Sequence, residues 1–153
     1  MIRLGRKLGL GAGLAVVWAA CTMAQTEVAT GPFTEAQIED GRKLYATRCA
    51  ACHLPSLVGQ GEALPLAGSQ FMAGWSNRTT QDLYTLIRAS MPKDAPGGLD
   101  DRDYANVTAF ILHANGAKAG PTAFLAAPPL RVGLVANGIA PGDIGTAPTA
   151  SQH

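Results

Sequence analysis

Cys49-Ala50-Ala51-Cys52-His53 is the stretch on which the reading of this chain turns. Two thiols separated by two residues, with a histidine directly after the second, form the CxxCH arrangement of covalent c-type haem attachment. The spacing has a geometric reason. One tight turn can present both sulfurs to the two vinyl groups on one side of a porphyrin ring, and the next residue then lies beneath the iron. Cys49 and Cys52 are thus the expected attachment points of one haem c, and His53 an expected iron ligand. Two other chemistries use a CxxC pair. A redox dithiol expects a strand before the first cysteine and a βαβ unit. A zinc site needs two further ligands at suitable spacing, and only His113 and His153 remain, isolated and far apart.

Working outward, a helix leads into the motif. Thr34-Glu35-Ala36-Gln37 reads as a capping box, with Thr34 as N-cap and Gln37 at the third helical position. Ile38, Gly41, Leu44 and Tyr45 then share one face at helical spacing. A helix rather than a strand before Cys49 disfavours the dithiol. Residues 54–78 read as mostly irregular, broken by Pro55, Gly59, Gly61, Pro65, Gly68 and Gly74. A second helix is expected over Thr80 to Ala89, capped by Thr79, with Leu83, Leu86 and Ile87 as its apolar stripe. Residues 90–99 form a loop. Asp100 opens a third helix, with Asp101 and Asp103 in the first turn where the helix dipole favours acids. Tyr104, Val107, Phe110, Ile111 and Ala114 form its apolar face, and Asn115-Gly116 its stop.

From Ala117 onward the chain is rich in Ala, Gly and Pro and has neither strand alternation nor a helix period. It is expected to be either an arm lying on the domain or disordered. The expected fold is therefore all-α: three to four helices around one covalent haem, with an irregular carboxy-terminal extension. The boundaries are a signal at 1–24, a flexible lead at 25–32, the domain at 33–116 and the extension at 117–153. A domain this small needs a staple, and a covalently held macrocycle would supply one.

The first segment reads as an export signal. Arg3, Arg6 and Lys7 precede the apolar or small run of residues 8–20, and Thr22-Met23-Ala24 offers small residues for cleavage. The run is short for a bilayer span, which needs roughly 20 residues. Retention as an anchor and lipidation at Cys21 are the alternatives. Cleavage after Ala24 would remove Cys21, so that neither remaining cysteine is spare. It would also leave nine Lys and Arg against eleven Asp and Glu, a net charge of −2. Nucleic-acid binding is disfavoured at that charge. The periplasm is the expected location, with no stable membrane span once the signal is gone.

Residues 33–116 resemble the class I (mitochondrial-like) bacterial cytochromes c. The resemblance rests on Gly41 and Tyr45 before CAACH, on Pro65-Leu66-Ala67-Gly68, on Ser90-Met91-Pro92 and on the terminal helix ending in Asn-Gly. It implies that Gly41 and Tyr45 pack against the terminal helix near Phe110 or Ile111. It implies that the Pro65 carbonyl accepts a hydrogen bond from the second nitrogen of His53. This segment is one residue shorter than in the family. It also implies Met91 as the second iron ligand.

Outside the signal the methionines are Met72 and Met91. Met91 lies thirty-eight residues after His53, far enough for the chain to cross the ring, in a loop stiffened by Pro92 and Pro96. Met72, beside Phe71 and Trp75, is expected to pack. Trp75 is a candidate donor to a haem propionate. His113 is expected to be a partly exposed helical residue, not a ligand.

A His53/Met91 pair leaves no open iron position and raises the potential relative to stronger-donor pairs. The expected function is single-electron transfer rather than catalysis, with a periplasmic dehydrogenase as donor and an oxidase or another cytochrome as acceptor. The dehydrogenase association follows from the resemblance. The alternative is a haem enzyme or gas sensor with an open sixth iron position.

Overall fold

The computed structural model describes residues 29–139. The signal segment, Cys21, the first residues of the lead, and residues 140–153 with His153 lie outside the described part.

The start of helix α1, Glu35–Arg48, is set locally. The Thr34 hydroxyl accepts from the Gln37 N–H at 3.4 Å and the Gln37 side chain accepts from the Thr34 N–H at 3.2 Å. The single turn α2, Ala50–His53, follows through Cys49. Helix α4, Thr80–Ser90, carries a second capping box, between Thr79 and Asp82. The hydrogen bonds from Thr79 hold the Asp82 carboxyl below the usual range. Thr79→Ala should cost about 1 kcal/mol, the usual value of an N-cap, read as a fall in melting temperature. Helix α5, Asp101–Ala114, is capped by Asp100, whose side chain accepts from the Asp103 N–H at 2.8 Å.

These three helices match the expected ones. Helix α5 is the central element. Its expected face is buried, and Ala105, Thr108 and Leu112 on other faces are buried too. It packs most extensively against α1 and next against α4. The α1–α5 crossing is close because Gly41 has no side chain: a Cβ there would overlap the Asn106 carbonyl and touch Phe110. Tyr45 tilts onto Phe110, ring centres 5.2 Å apart.

Three features depart from expectation. Residues 54–78 are not all irregular, since Ser69–Trp75 forms a further helix, α3. It is seven residues long and contains Gly74, so local propensity is weak; tertiary packing of Phe71 and Trp75 holds it. On α4, Leu86 is 50% exposed. Tyr84 takes its place on the inner face, its ring 5.7 Å from that of Phe124.

The core does not stop at Gly116, and this is the third departure. Of the two readings of the extension, residues 117–139 form an arm lying on the domain. Phe124–Ala126 is a 3-10 turn and Val132–Val135 a one-turn helix, α6. Ala117, Phe124, Val132, Val135 and Ala136 are buried. The arm is laced on by backbone hydrogen bonds. Gly31 N–H donates to Lys118 and Gly120 N–H to Phe33, so Gly31-Pro32 is buried rather than a free lead. The Phe124 N–H donates to the Gln37 side chain at 2.9 Å. Further on, Val132 N–H reaches the Arg78 carbonyl and Gly133 N–H that of Ser76.

Among the described residues there is no strand, only one isolated bridge between Thr79 and Arg131. No helix there is long and apolar enough to cross a membrane. The fold is all-α.

Candidate functional site

Helix α1 delivers Cys49, and α2 carries Cys52 and His53. Cys49 is half-buried and Cys52 exposed. Burial pushes the Cys49 thiol up to about 11, with Arg48 pulling weakly the other way. A reactive dithiol needs the opposite shift, toward thiolate at neutral pH. Among the described residues no three His, Cys, Asp or Glu side chains converge as a metal-ion site.

His53 is 8% exposed. Its Nδ1 lies 3.0 Å from the Leu64 carbonyl oxygen. A carbonyl can only accept, so Nδ1 donates in this bond, and in the neutral ring Nε2 then keeps its lone pair. That is the state of a metal-ligating imidazole, ring and tautomer held by a backbone acceptor. The acceptor is Leu64, not Pro65 as the resemblance implied. Leu66 fixes the register: its N–H donates to Leu57 at 2.8 Å, and its carbonyl accepts from Asn115 at 2.9 Å. With Leu66 tied on both sides and the segment one residue short, the Leu64 carbonyl faces His53. Pro65 is half-buried beside it.

The loop reaches that point through two residues in the left-handed region, Leu54 at φ 62° and Leu57 at φ 61°. Such strain persists only where surroundings over-determine it. Here the Tyr45 hydroxyl donates to the Leu54 carbonyl at 2.7 Å, and Leu57 is 2% exposed. Tyr45 thus does two jobs, packing on α5 and fixing the turn after His53. Burial, then the neighbouring Cys49, pushes its phenol well above the usual range.

Met91 is the C-cap of α4 and half-buried against the core. Its N–H donates to Ile87, and its carbonyl accepts from the Tyr104 hydroxyl at 2.8 Å. Met72 and Trp75 are also half-buried at the core margin. Trp75 stacks on Phe71, ring centres 6.1 Å apart, and the Arg78 guanidinium lies 5.0 Å from its ring centre. His113 is half-buried, and its Nδ1 donates to the Ala117 carbonyl at 3.1 Å. It closes the end of α5.

Sequence reading missed Leu64, Tyr104 and Asn115 as supports. The Asn115 side chain is fully buried and accepts from Gly68 while donating to Leu66 and Ile111. An Asn at a helix end gave a signal for a stop, but not for this bridge.

The donor set fits a covalent haem. It comprises two thiols two residues apart, a buried imidazole with Nε2 free, and a thioether on a pinned main chain. The comparison with protein families agrees. The family described as "Cytochrome C oxidase, cbb3-type, subunit III" matches residues 36–111. No curated protein shows significant similarity to the chain. A solved structure, the sulfane dehydrogenase SoxCD from Paracoccus pantotrophus, is 25% identical, with a TM-score of 0.43 over 72% of this chain and 60% of that one. The chain thus spans less than two thirds of the SoxCD chain it matches. Residues 36–111 are thus similar to that cytochrome family over just under half of the chain, the same stretch that folds as helices around the CxxCH motif.

Proposed function

We propose that this domain is a class I cytochrome c, a periplasmic one-electron carrier that accepts electrons from a periplasmic dehydrogenase and passes them to an oxidase or another cytochrome. One haem is bonded through Cys49 and Cys52, with His53 and Met91 as iron ligands. The amino-terminal signal directs export, and its removal takes Cys21 with it. Bound haem supplies a metal centre that gains and loses one electron. The observation that carries the reading is the His53 Nδ1 bond to the Leu64 carbonyl. It commits one ring nitrogen and leaves the other for metal.

The chain's own contribution is rigidity. His53 is fixed by Leu64, and the main chain of Met91 by Ile87 and Tyr104. Neither ligand needs to move between oxidation states, which keeps reorganisation small. The Trp75 indole N–H donates to a propionate in this reading, and Arg78 beside it adds positive charge. The partner surface is modest, as in weak and short-lived redox encounters.

The test uses protein made in a host that attaches haem. Its mass should exceed the mature polypeptide's by one haem, with Gln25 as amino terminus. The ferric spectrum should hold the weak band near the red edge of the visible that marks methionine on iron. Met91→Ala should abolish that band and lower the potential. A wild type that lacks the band and binds carbon monoxide readily at neutral pH would instead be a haem enzyme or gas sensor.

A further inference from the structure

We propose that Tyr104 is the positioning residue for Met91, acting by closing both ends of the loop that bears it; this rests on the ligand pair proposed above. Residues 91–99 leave the end of α4 and return at the start of α5. The loop is held internally by two turns, Ala95 N–H to Pro92 at 3.0 Å and Gly98 N–H to Ala95 at 2.9 Å, with Gly97 at φ 73°. Lys93, Asp94, Pro96, Gly97 and Gly98 are exposed. Those turns shape the loop but do not attach it to the domain.

Met91 and Leu99 pack against the core, Pro92 is buried and the Met91 N–H bonds Ile87, but the side-chain hydrogen bonds that tie the loop down come from a single phenol. Tyr104 is fully buried on α5. Its hydroxyl donates to the Met91 carbonyl at 2.8 Å and accepts from the Leu99 N–H at 3.3 Å. One group thereby ties the first and last residues of the loop to the same point on the central helix. Among the described residues no other side chain hydrogen-bonds residues 91–99. A phenol has one proton to give and lone pairs to accept with, so both functions are in use. Met91 is then held on both sides of its α-carbon, by Ile87 at its N–H and by Tyr104 at its carbonyl. Only its side-chain torsions remain free to place the sulfur.

Tyr104→Phe removes the clamp and keeps the ring. Ferric holoprotein should then exchange Met91 for imidazole with a dissociation constant about tenfold lower, the equivalent of roughly one net hydrogen bond. The red-edge band should fade in step. Thr108→Val is the control. Its hydroxyl is equally buried on α5 and donates to the Tyr104 main-chain carbonyl at 2.8 Å, away from the loop. It should lower the melting temperature yet leave imidazole affinity within about twofold of wild type. Affinity of the Tyr104→Phe protein within twofold of wild type overturns the proposal, as does an equal shift in Thr108→Val.

Hydrogen exchange on wild-type ferrous protein gives a reading that needs no variant. The Leu99 amide should exchange far more slowly than that of Gly97, and equal rates also overturn the clamp. If the wild type never shows the band, Met91 is not the ligand, and the proposed function and this inference fall together. An intact wild-type band with an inert Tyr104→Phe substitution sinks this inference alone.

Discussion

Asn115→Leu is expected to lower the melting temperature of the holoprotein by about 20 °C, the counterpart of about 4 kcal/mol in a domain of this size. Leucine keeps the branched four-atom skeleton and is if anything bulkier, so the substitution removes hydrogen bonds without opening a cavity. Three groups lose their partner: the Gly68 N–H and the carbonyls of Leu66 and Ile111. Each buried group left unpaired costs about 1–3 kcal/mol. The effect also reaches the site, because Leu66 sets the register that presents Leu64 to His53. Imidazole should therefore bind the ferric variant more tightly as well. A loss near 1 kcal/mol would mean that Asn115 is only a helix stop.

Gly41→Ala sets two opposing effects against each other. In a helix interior alanine is favoured over glycine by about 1 kcal/mol. At this position, however, the new methyl would overlap the Asn106 carbonyl and press on Phe110. Overpacking against side chains costs about 1–3 kcal/mol, and a backbone atom of a buried helix cannot swing aside. Net destabilisation of at least about 2 kcal/mol is expected, measured by denaturant midpoint. A neutral or stabilising result would show that α1 and α5 do not cross as closely as described.

What could be read in advance divides along physical lines. Thr34/Gln37, Thr79/Asp82 and Asp100/Asp103 each satisfy helix ends within three residues, so the starts of α1, α4 and α5 were legible. The Cys49, Cys52 and His53 cluster is equally local. Helix α3 was not legible because it is short, contains a glycine and is held by tertiary packing. Leu64 was mistaken for Pro65 because the acceptor's register depends on Asn115, forty-nine residues beyond Leu66. The arm was legible only as one of two readings, for the same reason. Its buried residues Phe124, Val132 and Val135 follow no sustained period, since backbone bonds to distant loops hold it and its own helix, α6, is a single turn.

The pairing of α1 with α5 has a consequence for the order of events in the cell. The helix just before Cys49 finds its main support in a helix that begins only at Asp101, and the arm beyond seals both. No leading half of the chain can close on itself, because the cost of such distant closure is met only when the late partner arrives. Until α5 has been made, the two sulfurs stay open to chemistry. The partial burial of Cys49 comes last, and Cys52 stays exposed even then.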